Sequence, residues 1–212
     1  MLSSLAFDPM HHDTPGNDLM ALDFLAKQAN AVKYTQSFVE VGSWAGLTAY
    51  MLRRNLPADE PLYCVDHWKG SPSESPRPIS QEHALLTFAK NVGGWGGRIG
   101  RDVIPCVGDS LVWAEIFGQA NMRFKLVFID ANHDAEAVRK DILAWWPLVE
   151  VGGILCGHDY GIYPGVNKAV DYSFAGKHKR YGLTLWAVER CNFGDSDQRG
   201  YKLDKMSMEK MQ

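Results

Sequence analysis

Cysteine is scarce in this sequence, and the four present (Cys64, Cys106, Cys156 and Cys191) stand too far apart for any C-x-x-C pair. No disulfide framework is indicated. Cys64, Cys106 and Cys156 lie inside apolar runs, where a thiol acts as a small hydrophobe, and that usage fits a reducing cytosol. Long hydrophobic runs are missing too. None approaches the ~20 residues that cross a bilayer, and "MLSSLAF" at the start has neither a basic leader nor a long apolar core. These absences predict a soluble, cytoplasmic protein with no membrane partner. Nor is there an excess of positive charge. A formal net charge of −3 argues against a nucleic-acid partner, which calls for a basic face. The one cationic cluster, "KHKR" at 177–180, reads as a solvated turn.

What the sequence does have is alternation. Apolar, β-rich runs recur at 37–42, 61–67, 102–108, 124–131, 152–159 and 183–190, and helix-compatible segments fill the gaps. "GLTAYMLRRN" (46–55) and "DAEAVRKDILAWWPLVE" (134–150) carry their apolar residues at helical spacing. Strands that are apolar throughout, alternating with helices, predict an α/β fold with a doubly wound, mostly parallel sheet covered on both faces. Two segments depart from the pattern. Residues 1–34 are expected to form an N-terminal helical cap, with a helix over 17–29. Within the main domain (35–212), the Pro/Ser-rich start and Gly-rich end of 70–100 suggest a lid-like insertion around a helix near 80–91.

Polar residues cluster where such folds bind ligands, beyond the carboxyl ends of the strands. Glu40, Asp66, Asp109, Asp130, His133, His158 and Asp159 all fall there. "EVGSWAGLT" (40–48) follows the first strand and opens a helix, with Gly42 and Gly46 permitting a tight turn and close backbone approach to a ligand. The dinucleotide pattern GxGxxG fails, because Trp44 and Leu47 stand where glycines are required, and no Gly-Lys-Ser/Thr of a phosphate loop follows. Asp66 ends the second strand, where a carboxylate can hold the hydroxyls of a ribose. A glycine turn and a ribose acid without a phosphate cradle suggest a nucleoside that lacks a pyrophosphate.

Taken together, E-x-G-x-x-x-G-x-T at 40–48, "CVDHWKG", "VGDS" (107–110), "FIDANHDAEAVRKDI" and "GGILCGHDYGIYPGVNKAV" resemble class I S-adenosylmethionine-dependent methyltransferases. Over residues 37–190 they resemble the small, metal-dependent O-methyltransferases of the catechol and macrolide-sugar type. The resemblance implies a Rossmann-like, seven-stranded sheet. It implies that Glu40, Gly42, Ser43, Trp44, Gly46 and Thr48 surround the methionine half of the cofactor. Asp66 would hold the ribose, with His67 and Trp68 near the adenine and Gly108, Asp109 and Ser110 at its edge. Asp130 would touch the cofactor and, with His158 and Asp159, ligate a divalent cation: Mg²⁺ first, with Mn²⁺, Fe²⁺ or Zn²⁺ favoured if His158 ligates directly. His133 stands at the position of the family's general base.

That chemistry would be methyl transfer to a hydroxyl. A bound cation lowers the hydroxyl pKa and His133 takes the proton. The acceptor would be a small hydroxylated molecule, such as a sugar, a glycosylated metabolite or a catechol-like phenol. Two rivals remain at this point: a metal-dependent hydrolase, which leaves Gly42, Gly46 and Asp66 without a role, and a non-catalytic S-adenosylmethionine-binding domain. Plainer readings stand beside the motifs. Asp134 is a better helix cap than Asp130, and His133 could be a surface histidine. Trp145 and Trp146 suit packing between helix and sheet, and His11 and His12 read as exposed. Tyr160, Tyr163 and Pro164 suit a substrate wall or loop packing. A homo-oligomer stays open, with "LTLWAVER" as an edge strand or an interface.

Overall fold

A computed structural model describes residues 14–31, 37–70 and 81–191. Its elements alternate as the apolar runs require: α1 (Gly16–Ala29), β1 (Phe38–Val41), α2 (Leu47–Arg53), β2 (Leu62–Asp66), α3 (Gln81–Gly94), β3 (Val103–Val107), α4 (Ser110–Gln119), β4 (Phe124–Ile129), α5 (Ala135–Trp145), β5 (Val149–Gly157), α6 (Pro164–Phe174), β6 (Lys179–Tyr181) and β7 (Leu185–Glu189). The strands form one sheet in the order β3-β2-β1-β4-β5-β7-β6. All neighbouring pairs are parallel except those of β7, which is antiparallel to both β5 and β6. A parallel sheet needs cover on both faces, and alternate residues supply it. Phe38, Leu62, Leu126, Phe128 and Leu185 pack under α1, α2 and α3. Val39, Val127, Ile129, Leu155 and Trp186 pack under α4, α5 and α6.

Several local expectations are refined. The helix expected over 134–150 stops at Trp145, and a single 3-10 turn (Trp146–Leu148) leads into β5. Trp145 and Trp146 are buried packing residues. The "KHKR" segment is a correction: Lys179 and Arg180 are exposed as expected, but they begin edge strand β6 rather than a turn, because β7 offers them a backbone partner. Of the residues expected to form a lid-like insertion, 71–80 lie outside the described residues, as do His11 and His12. α3 packs into the core through Ala84, Phe88 and Val92.

Register sets up the site. Val41 pairs with Val65 and Ile129, and Ile129 pairs with Gly157. One residue further along, Gly42, Asp66, Asp130 and His158 therefore leave the sheet in one row. No helix among the described residues is long and apolar enough to cross a membrane.

Candidate active site

A cavity of about 510 Å³ opens over that row of strand ends. On one side is the turn after β1. Gly42 has φ +90°, and a Cβ there would lie 2.0 Å from the Asp130 carbonyl oxygen, so only glycine lets the β1 and β4 exits pass so closely. The turn is pinned from β2: Asp66 Oδ2 accepts from Ser43 N (3.0 Å) and Trp44 N (2.9 Å), while Oδ1 accepts from Trp68 N at 2.6 Å. A carboxylate offers roughly four acceptor positions. Asp66 thus both shapes the turn and keeps acceptor capacity on Oδ1 for a ligand.

On the other side, at the ends of β4 and β5, acids and imidazoles interlock. His133 Nε2 lies 2.8 Å from Asp159 Oδ2, and its ring stacks on Tyr163 with centroids 3.9 Å apart and planes at 17°. Asp159 sits at φ +68°, a left-handed conformation that Asp tolerates better than most residues, and this turn aims its carboxylate back across the sheet edge. His158 Nδ1 lies 3.1 Å from Asp159 Oδ1 and 3.7 Å from Asp130 Oδ1, and its Nε2 faces Asp18 Oδ2 at 3.3 Å. Burial alone would lower the His158 imidazole, but the bond to Asp159 and the charges of Asp130 and Asp18 outweigh it and hold His158 up at about 9. Burial would likewise raise Asp159, and its two histidine partners hold it well below the usual carboxylate range. This end of the cavity gathers two imidazoles around an ionised carboxylate.

The model of the methyltransferase domain family matches residues 39–160, more than half of the chain. The chain belongs to this methyltransferase family. No curated protein sequence matches it. Among solved structures it is similar to the O-methyltransferase NovP (TM-score 0.65, 16% identity, covering 83% of this chain and 80% of that one). It is similar to the calicheamicin methyltransferase CalS11 (TM-score 0.63, 15% identity, 84% and 79% covered). A third is TomG of Streptomyces achromogenes, an O-methyltransferase of tomaymycin synthesis solved with S-adenosylmethionine (TM-score 0.61, 16% identity, 84% and 81% covered). At these identities the likeness establishes the fold, and the expected doubly wound methyltransferase sheet is what the chain adopts.

Most of the expected site residues of this methyltransferase meet at the cavity. Gly42, Ser43, Trp44, Gly46 and Thr48 line it from the first turn, Asp66 and His67 from β2, and Gly108, Asp109 and Ser110 from β3. Asp130, His133, His158 and Asp159 line its far end. Two residues stand elsewhere. Trp68 turns into the core against Phe88, donating Nε1–H to the Trp44 carbonyl at 2.9 Å. Glu40 is fully buried beneath the wall, accepting from the Thr48 hydroxyl and, at 3.5 Å, from Cys64 Sγ; burial pushes it up to about 7. Asp109 caps α4 by accepting from Leu111 N, and Asp134, as expected, caps α5.

The side chains close enough to share a cation differ from the expected set in one member. Atoms of Asp130, His133 and Asp159 lie within 4.8 Å of one another, whereas His158 is turned between carboxylates. Two acids escaped the sequence reading. Asp18 of α1 accepts from Leu183 N, Thr184 N and Thr184 Oγ1 and faces His158. Asp141 of α5 accepts from Ser110 Oγ. Each had a signal: Asp18 shares a helical stripe with Leu22 and Leu25, and Asp141 with Val138 and Trp145. An acid on the apolar face of an amphipathic helix must find a buried partner.

Proposed function

We propose that this methyltransferase uses S-adenosylmethionine to methylate a hydroxyl of a small cytoplasmic molecule, such as a sugar, a glycosylated metabolite or a catechol-like phenol. The observation that carries the reading is the His133–Asp159 pair. It faces the same cavity as the Gly42 turn and Asp66, which supports a base set across from a nucleoside site. The O-methyltransferase names of NovP and TomG point the same way.

When bound, S-adenosylmethionine supplies a methyl already activated on a sulfonium sulfur. The residues then have two tasks, alignment and proton removal. Asp66 accepts from the ribose, and the 42–46 turn brings backbone against the methionine portion. His133 would take the proton of the acceptor's hydroxyl when that oxygen receives the methyl. Asp159, ionised, anchors that imidazole and stabilises the imidazolium. Calorimetric titration tests the reading: saturable one-to-one binding of S-adenosylmethionine, lost in Asp66→Ala, is expected. No binding to a folded sample overturns it and leaves the hydrolase reading.

The Asp130, His133 and Asp159 cluster favours a second, metal-assisted reading. Two carboxylates and an imidazole fit a divalent cation, and the imidazole shifts preference from Mg²⁺ toward Mn²⁺. Such a cation would lower the pKa of the acceptor hydroxyl, and His133 would then be a ligand rather than the base. Electron paramagnetic resonance separates the two: one bound Mn²⁺, lost in Asp130→Asn, supports the metal-assisted form, and none at millimolar Mn²⁺ removes it.

A further inference from the structure

α1 reaches the His133 end of the cavity through one side chain. Asp18, in the first turn of that helix, is fully buried. Both of its oxygens accept: Oδ1 from Leu183 N and Thr184 N, Oδ2 from the Thr184 hydroxyl. The turn between β6 and β7 thereby holds the carboxylate in one orientation, with Oδ2 3.3 Å from His158 Nε2. An amide oxygen could accept both backbone N–H groups, so the turn alone does not call for an acid. His158 does.

His158 carries the contact onward. Its Nδ1 lies 3.1 Å from Asp159 Oδ1, nearer than the 3.7 Å to Asp130 Oδ1, and Asp159 Oδ2 lies 2.8 Å from His133 Nε2. An ionised carboxylate can only accept, so Asp159 receives an N–H from each imidazole. Asp18, His158 and Asp159 are all buried, and with His133 they make a continuous series from α1 to the loop after β4. The last torsion of an aspartate is broad and roughly two-fold. One oxygen must therefore be held if the other is to stay on a single partner. His158 holds Oδ1, which leaves Oδ2 set toward His133.

We propose that Asp18 and His158 are positioning residues for the His133–Asp159 pair, so that α1 belongs to the working unit of the site. Asp18 fixes the His158 ring, the ring fixes the rotation of the Asp159 carboxylate, and Asp159 sets the imidazole of His133. Asp18 thus acts on His133 through two intervening side chains. The consequence for methyl transfer rests on the proposed function, whereas the series of contacts can be tested without it.

The test is nuclear magnetic resonance of the protein labelled with ¹⁵N-histidine at pH 7, with ring signals assigned through His133→Gln and His158→Gln. The His133 Nε2–H of the wild-type protein is expected to exchange slowly with water. Asp18→Asn keeps an oxygen for the turn but sets an amide against His158, and it is expected to speed that exchange several-fold. His158→Ala is expected to do the same, and it keeps the test decisive if Asp18→Asn fails to fold. In both variants the backbone amides of β4 should exchange at the wild-type rate, which separates an effect on the pair from general loosening. A merely structural role for Asp18 would leave the His133 proton as it was. Unchanged exchange at His133 in the folded variants, or fast exchange there already in the wild-type protein, overturns the inference. Calorimetry with S-adenosylmethionine reads the proposed function separately: no binding by the wild-type protein overturns the cofactor reading, while the exchange rates still decide the inference.

Discussion

His133 and Asp159 come from different strand exits, yet their side chains meet at 2.8 Å. Three features hold the imidazole there. Asp159 fixes one nitrogen, Tyr163 covers the ring face, and α6 begins hard against the His133 backbone. The last is possible because residue 165 is glycine: a Cβ there would lie 2.2 Å from the His133 carbonyl oxygen. The imidazole is therefore placed by packing before any ligand arrives, which is the pre-organisation that efficient proton transfer requires.

The first prediction concerns this pair. His133→Ala is expected to lower kcat by roughly 10²- to 10⁴-fold, the usual contribution of a positioned base, while the S-adenosylmethionine Kd stays close to wild type. Asp159→Asn should lower kcat in the same direction, because an amide can no longer stabilise an imidazolium. Steady-state release of S-adenosylhomocysteine, paired with calorimetry, reads both quantities. A His133→Ala enzyme with wild-type kcat would remove the base assignment.

The turn after β1 gives a second prediction. Gly42 and Gly70 both have positive φ, at +90° and +76°, but the Gly42 Cβ position is blocked, while among the described residues nothing lies within 4 Å of the position at Gly70. Alanine at 70 is expected to cost about 1 kcal/mol for backbone conformation alone. Alanine at 42 should cost several times that or prevent folding, since Asp130 must move. Urea unfolding of the two variants separates conformational strain from the clash, and equal losses would show that the β4 exit yields freely.

Much of this was legible in the sequence. The parallel sheet follows from apolar runs such as "FKLVFI", buried at every position, and the site follows from polar residues placed just past those runs. Local patterning could not show which partner each side chain would choose. Trp68 and Glu40 sit within recognisable motifs, yet the fold turns both away from the cavity, into the core. His158 follows a strand as a ligand should, but its surroundings are set by Asp18, 140 positions earlier in the chain. Such long-range choices are made by packing rather than by periodicity.

Asp18 carries a third prediction, because its two oxygens have divided work. Oδ1 accepts from the backbone N–H groups of Leu183 (2.5 Å) and Thr184 (3.1 Å), while Oδ2 accepts from Thr184 Oγ1 and faces His158. Asp18→Ala strands buried N–H groups and is expected to lower stability by about 2–4 kcal/mol. Asp18→Asn keeps a carbonyl oxygen for the backbone and should lose markedly less. Urea unfolding of the pair checks this, and equal losses would mean that the charge toward His158, not the turn, is what Asp18 supplies.

Glu40 makes stability depend on pH, with a definite sign. Its ordinary value is 4.5 and burial raises it to about 7 in the folded protein. The folded state therefore holds the proton more tightly than the unfolded state, and the stability this gives is complete below pH 4.5 and lost as pH rises toward 7. A shift of that size corresponds to a loss on the order of 3 kcal/mol. Asp141 adds a slope of the same sign between 3.8 and about 6, and His158 another between 6.5 and about 9, so the Glu40 share is read as a difference between proteins. Glu40→Gln keeps an oxygen for the Thr48 hydroxyl and carries no charge. It is expected to match or fall below wild type at pH 5 and to exceed it at pH 8, with the two stability curves crossing between. Parallel curves from urea unfolding across pH 5–8 would show that Glu40 is ionised in the folded protein throughout, with its buried charge met by Thr48 and Cys64.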